Sequence, residues 1–430
     1  LHDESETPIK DKYSPADARM LDCLALRDMD GAMNAPADRT AIRNAEANVT
    51  IVDAARMVIA ERGLSSMSLR TVAEQAHMSV GSISYRIGDR AALVAAVIDR
   101  EMALADTAAQ EFLARLDGIE PVTAGLLPDL VGAWLDPMAG ERRISAIVTC
   151  ELALLASRMP ETVPDVPRLL DRSAAMWRAM LQASPDGNRL ADAIHAYCLD
   201  ERPFSIALGD MADYRLLRQS TIRALLRDPA EAPASAASRW HMALIDRLAG
   251  PSADALDAAD IIPQGVKAVL ADHIADLIVA SGVGALSHRA VAQVSGMAAS
   301  SVAHHFPTHR DIVFGGVEAI YRRMRADIRA SNGTAPGSGT IIQLTHESAL
   351  LANRNPAFLP FAIDMRRRRA ENVHVQVAQW IGVPVDGDRA RVQAIVIALI
   401  GHGLEILARG ALAEPFPDMS QHFSRTEQSY

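Results

Sequence analysis

Apolar residues recur along this chain at three- and four-residue spacing, and runs alternating every second residue are rare, so the pattern predicts helices almost throughout. The first amphipathic stretch covers residues 48–62 and stops at Gly63, a glycine suited to ending a helix. Ser68 reads as an N-cap for LRTVAEQA, HMS as a tight turn, and Ser79 as the cap of a third, short helix, VGSISYRI. The breaker GDR precedes a long helix over 91–116. Further helices fit 128–135, 142–157, 164–183, 188–199 and 211–227. DPAEAPASAAS reads as a linker, with a short helix and a second breaker, PSAD, after it. The same grammar then resumes: three short segments within 264–306, a long helix over 310–330, the loop SNGTAPGSG, and helices over 340–352, 356–380 and 388–410.

The resumption extends to the letters. SLRTVAEQAHMSVGSISYRI (68–87) lies without a gap over SHRAVAQVSGMAASSVAHHF (287–306), placing Gly63 on Gly282 and Arg70 on Arg289 at a constant offset of 219. ELALLASRMP (151–160) matches ESALLANRNP (347–356) at an offset of 196. The offsets differ by 23, so the first copy is expected to hold one extra helix and loop within 121–140. A repeat of this length reads as two copies of a whole domain rather than an array of small units. The expected fold is all-α with two fused units. A disordered or peripheral segment (1–38) precedes a first head (39–92) and a first helical body (93–228). A linker (229–262), a second head (263–309), a second body (310–413) and a tail (414–430) follow.

Composition narrows the function. With 430 residues and 49% hydrophobic content, core material is ample for two or more domains. There is no signal peptide and no charge-free apolar run of about 18 residues, so a cytoplasmic protein without a membrane partner is expected. Cys23, Cys150 and Cys198 form neither a disulfide framework nor a metal-spaced pair and read as reduced thiols. A net charge of −10 argues against indiscriminate polyanion binding, though not against binding through one face. No G-x-S-x-G, phosphate-binding glycine loop or H-E-x-x-H is present, so neither catalysis nor a cofactor is expected. His304, His305 and His309 lack a carboxylate or Cys at ligand spacing, and adjacent His side chains on a helix should point apart, so no metal is expected.

Each three-helix head has the makings of a helix-turn-helix, in which a short second element enters the major groove by its N-terminal end. In the first head Ser79, Val80, Gly81, Ser82 and Ser84 permit close approach, and Tyr85, Arg86 and Arg90 supply contacts. In the second, Ala299, Ser300 and Ser301 take the small positions, with His304, His305 and His309 after them. Arg70 and Arg289 read either as phosphate contacts or as structural pairs on the preceding helix. Arg39 and Arg43 precede the first helix, as a minor-groove arm or a solvated tail.

Both heads resemble the DNA-binding head of the tetracycline-repressor (TetR) family, through IVDAARMVIAERGLSSMSLRTVAEQAHMSVGSISYRIGDRAALVAAVIDRE and ADHIADLIVASGVGALSHRAVAQVSGMAASSVAHHFPTHRDIVFGGVEAI. The resemblance implies a transcriptional repressor of double-stranded DNA, released when a small ligand enters a helical body. The chain departs from the family's usual lysine and tyrosine in this helix, with Val80 and Ser84 in the first copy and Ala299 and Ala303 in the second. Ala298 also replaces the cap Ser79. Family members act as homodimers; here one chain carries both heads, so an intramolecular pseudo-dimer on an asymmetric operator is expected. The helices at 188–199, 211–227 and 388–410 are the candidates for the internal interface. The alternative is an interaction scaffold, or a one-headed binder whose second head has lost DNA.

In the bodies Trp134, Trp177, Tyr197, Trp380 and His402 read most simply as core. Trp134, Cys150, Glu151, Trp177, His346 and Glu347 are the candidates for a pocket taking a hydrophobic or amphipathic effector. For Glu151 and Glu347 a buried structural pair or a contact between the two copies is the competing reading. RRRR (366–369) reads as a solvated face or a partner for body carboxylates.

Overall fold

The computed structural model describes residues 36–411, apart from 120–121, 124, 185, 229–230, 232–234, 250–263, 332–338, 372 and 386. The segment before residue 36, with Cys23, the expected tail and much of the expected linker lie outside the described residues. Among the described residues there are helices and turns and no strands.

Helix α1 (Pro36–Arg62) begins well before the expected residue 48. Proline at the first helical position wastes no donor, and the alanines and long polar side chains after it favour helix. Arg39 and Arg43 therefore lie within a helix, which corrects the expectation of an arm or tail preceding it. The turn after α1 needs Gly63, at φ 87°. Then come α2 (Leu69–Ala76), α3 (Val80–Arg86) and the long α4 (Arg90–Ala114). The first body continues with α5 (Leu127–Leu135), α6 (Arg143–Arg158), α7 (Val166–Leu181), α8 (Gly187–Leu208) and α9 (Ala212–Leu226). Helix α10 (Ser235–Ala249) occupies much of the segment expected to be linker.

The next elements follow the order of the first head: α11 (Val266–Ser281), a 3-10 turn after Gly282, α12 (His288–Ser295), α13 (Ala299–His305) and α14 (His309–Ser331). Helices α15 (Gly339–Arg354), α16 (Leu359–Arg367), α17 (His374–Trp380) and α18 (Arg389–Ala408) complete the bundle. The helix expected over 356–380 is broken between α16 and α17, where Ala370 takes φ 74°.

At the offset of 219 the two heads fill their interiors with equivalent residues. Ile51, Val72, Ile83 and Leu93 are fully buried in one; Leu270, Val291, Val302 and Ile312 are fully buried in the other. The bodies do not separate in this way. One apolar cluster joins the first head to α17 and α18; the other joins Phe204, Tyr214 and Leu217 of the first body to the second head. Helices α8 and α18 make the closest pairing, and a Cβ at Gly401 would fall 1.8 Å from the Ala196 carbonyl oxygen. By length and composition α18 could cross a membrane, yet 72% of its apolar window is buried, against α6, α8, α9 and α15.

Polar groups lie at this centre. Helix α8 runs on through Asp200, Glu201 and Arg202, where the polar letters suggested that it had ended near residue 199. Arg369 donates to Asp200 at 2.6 and 3.0 Å, and Arg366 to Glu201 at 2.7 Å. Three members of the RRRR run, Arg366, Arg367 and Arg369, are thus buried partners of body carboxylates. Burial alone would raise the Asp200 pKa, but Arg369 and the His346 hydrogen bond outweigh it and hold the carboxyl below its ordinary value.

Candidate nucleic-acid interface and the body beneath it

In the first head, Ser68 caps α2 by accepting the Thr71 amide at 3.1 Å, and Ser79 caps α3 by accepting the Ser82 amide at 3.1 Å. His77 adopts the left-handed conformation between them, at φ 54°. Ile83 anchors α3 to the core, which turns the opposite face outward. Val80, Gly81, Ser84 and Tyr85 are exposed on that face, Tyr85 at 92%, while Ser82 and Arg86 are half-buried. Arg70 pairs with Glu74 at 3.2 Å on the exposed side of α2, the structural alternative to a phosphate contact.

In the second head Ser287 caps α12 through the Ala290 amide at 3.0 Å, but Ala298 gives α13 no side-chain cap. Arg289, Ala299, Ser300 and His304 are exposed; Ser301 and His305 are half-buried. The His304 and His305 rings meet edge-on with centroids 5.1 Å apart, which corrects the expectation that they diverge. Successive residues are only about 100° apart around a helix, and side-chain rotation closes that gap. Among the described residues no group of three or more His, Cys, Asp or Glu is placed to hold a metal.

Two residues expected at the interface also bond backbone carbonyls. Arg90 donates to the Met67 and Leu64 carbonyls at 3.0 and 3.2 Å. His309, at the matching position, places Nε2 3.2 Å from the Leu286 carbonyl oxygen. Both side chains brace a long helix against the turn that follows the first helix of its head.

A reciprocal clasp lies under the heads. Glu151 on α6 accepts the Leu64 amide of the first head at 3.2 Å and pairs with Arg354 of α15. Glu347 on α15 accepts the Val283 amide of the second head at 2.7 Å and pairs with Arg158 of α6 at 2.7 Å. Burial lifts the Glu347 carboxyl above its ordinary value, and Arg158 offsets only part of this. The glycines leave room for the partners: a Cβ at Gly282 would lie 3.0 Å from Arg158, and one at Gly63 3.3 Å from Arg354. The turns themselves meet, Gly284 against Ser65. Glu151 and Glu347 thus join α6 to α15, and both also line a cavity of about 610 Å³ together with Arg158 and Arg354. The arginines carried a signal that went unused. Each stands seven residues after a glutamate in the matched blocks, too far along one helix to pair with it, so each needed a partner on the other helix.

Of the remaining pocket candidates, Trp134 lines a body cavity of about 420 Å³ among α1, α4, α5, α6, α7 and α8. Trp177 is fully buried, edge-on to Trp134 with centroids 6.3 Å apart. Burial pushes the Cys150 thiol up to about 12. His346 is a buried core residue, its Nε2 2.7 Å from Asp200 Oδ1. Besides Arg56, the cations lining the cavity are Arg142 and Arg202, which the sequence pattern did not single out.

Residues 51–97 match a family described as bacterial regulatory proteins, tetR family. That span holds most of α1, all of α2 and α3, and the start of α4. No curated protein matches the chain in sequence.

Proposed function

We propose that this chain is a ligand-responsive, cytoplasmic transcriptional repressor that holds double-stranded DNA with two heads borne on one chain. The observation that carries the reading is α3, a capped short helix with small residues at its start and Tyr85 92% exposed, inside the segment matched to the tetR family. Amide groups at such a helix start suit phosphate, and the Arg86 guanidinium suits guanine in the major groove. The equivalent interiors of the heads, the paired braces at Arg90 and His309, and the reciprocal clasp support a duplicated, pseudo-dimeric unit. The packing of α8 and α9 on α18 supports an interface internal to the chain. Light scattering should then give a mass near 46.2 kDa in solution; a stable species of twice that mass would place the pairing between chains.

The outward faces differ, so the operator is asymmetric. Selection of bound genomic fragments and footprinting test this. Arg86→Ala should weaken one half-site by about 1–3 kcal/mol, and His304→Ala with His305→Ala should weaken the other. Clean inverted repeats, with both halves equally affected by either variant, contradict the reading. A one-headed binder, its second head kept as a scaffold, is favoured by one observation: α13 is uncapped and carries neither Lys nor Arg. Footprints unchanged by the histidine variants would select it.

A further inference from the structure

The first-body cavity is lined by a charge that has no partner among the described residues. Arg202 lines it, is 7% exposed, and among the described residues makes no hydrogen bond or ion pair; its Nε is buried and unsatisfied. Its neighbours on α8 differ sharply, since Asp200 and Glu201 are taken by Arg369 and Arg366. The groups that could neutralise Arg202 do not. Glu101 is bound by Arg56 at 2.6 Å, while Glu111 and Glu141 are exposed at the rim. The nearby Cys150 and Cys198 thiols are pushed up to about 12 by burial and stay uncharged. Besides Arg56, which Glu101 pairs, Arg142 is a further cation lining the cavity, its guanidinium 4.2 Å from the centre of the Trp134 ring. Trp134 Nε1 is another buried donor with no acceptor. Arg202, Arg142 and Trp134 thus line one space, whose remaining wall includes Leu104, Ala108, Met138, Ile144, Leu169 and Leu170.

Resting on the reading of the body as an effector site, we propose that this cavity binds an amphipathic organic anion. Its acid group is held by Arg202 with Arg142, and its apolar body lies along the aliphatic wall. Buried charges in folded proteins are normally paired. Here the counter-charge comes with the ligand, and desolvation in the cavity strengthens the pair once formed. A neutral molecule of the same shape would leave the Arg202 charge uncompensated, so the site discriminates by charge as well as by apolar fit.

Calorimetric titration with decanoate, decanol and decyltrimethylammonium tests the assignment without DNA. Decanoate should bind at least about tenfold more tightly than decanol, and the cation least, as the loss of one charge-assisted hydrogen bond implies. Arg202→Met should remove the preference while melting no lower than the parent, because it relieves an unpaired buried charge. Arg202→Lys should retain it. Arg142→Gln, at a less buried position, should reduce it several-fold. Equal affinity for decanoate and decanol, no binding of either, tightest binding of the cation, or a preference surviving Arg202→Met overturns the proposal. Decanoate binding with this preference but without effect on operator retention upholds the anion site and removes the regulatory reading instead.

Discussion

Ser79 accepts an amide at the start of α3, and Ala298 stands uncapped at the same point of α13. A few ångströms inward the difference vanishes, with Ile83 under one helix and Val302 under the other, both fully buried. The braces show an intermediate case: Arg90 and His309 differ in chemistry, yet each reaches a carbonyl of the same turn. Interior positions answer to packing, which penalises any change of volume. Brace positions answer to one hydrogen bond, which two different donors can make. The outward positions answer to neither, and there the heads have parted: Tyr85 and Arg86 in one, His304 and His305 in the other.

The comparison breaks most visibly if the interiors are not equivalent. Leu93→Ala and Ile312→Ala each delete a fully buried side chain and should each cost about 2–5 kcal/mol in urea denaturation. A large loss for one and a negligible loss for the other would mean that the matched cores do unequal work.

The bodies can be set against the heads by pH. Burial holds His195 down to about 4 and His241 down to about 3. Below pH 6.5 the unfolded chain takes up protons that these folded imidazoles refuse, so stability falls as pH drops from about 6.5 toward 4. At 1.36 kcal/mol per pKa unit, His195 contributes about 3 kcal/mol of that loss, and His195→Gln should flatten the slope correspondingly. Urea titrations at several pH values in this window measure it, and a slope identical in the variant refutes it.

A smaller effect separates the heads from each other. Arg354→Ala strands Glu151, and Arg158→Ala strands Glu347, each at a cost of about 2 kcal/mol for a partly buried carboxylate left alone. Amide exchange should quicken first at Leu64 in one variant and first at Val283 in the other, since these amides rest on the stranded glutamates. The same response at both amides in both variants would show one shared support rather than two.

The smallest effect lies at the caps. Ser79→Ala should destabilise the first head by about 1 kcal/mol, and Ala298→Ser should stabilise the second by a similar amount. Equal outcomes of one sign would mean that the α13 start is already satisfied by other means.

Local sequence determined much of this molecule. Glycines at positive φ, serine caps and apolar spacing are short-range signals that depend on a residue and its near neighbours, so the three helices of each head, their turns and the exposed α3 face followed from the letters. Local signals also misled where burial reversed their meaning. Asp200 and Glu201 looked like the end of a helix and lie instead in the core, because arginines distant in sequence neutralise them. The RRRR run suited a solvated face equally well until its partners were in place. Only the packing of α6 against α15 turned two matched Glu and Arg positions into a reciprocal clasp. Only the tertiary structure decided that Arg202 would line a cavity with no partner among the described residues. Periodicity tells a residue which side of its own helix it occupies, but charge pairing and cavities depend on which helix comes to lie opposite, and that is settled by the fit of whole surfaces.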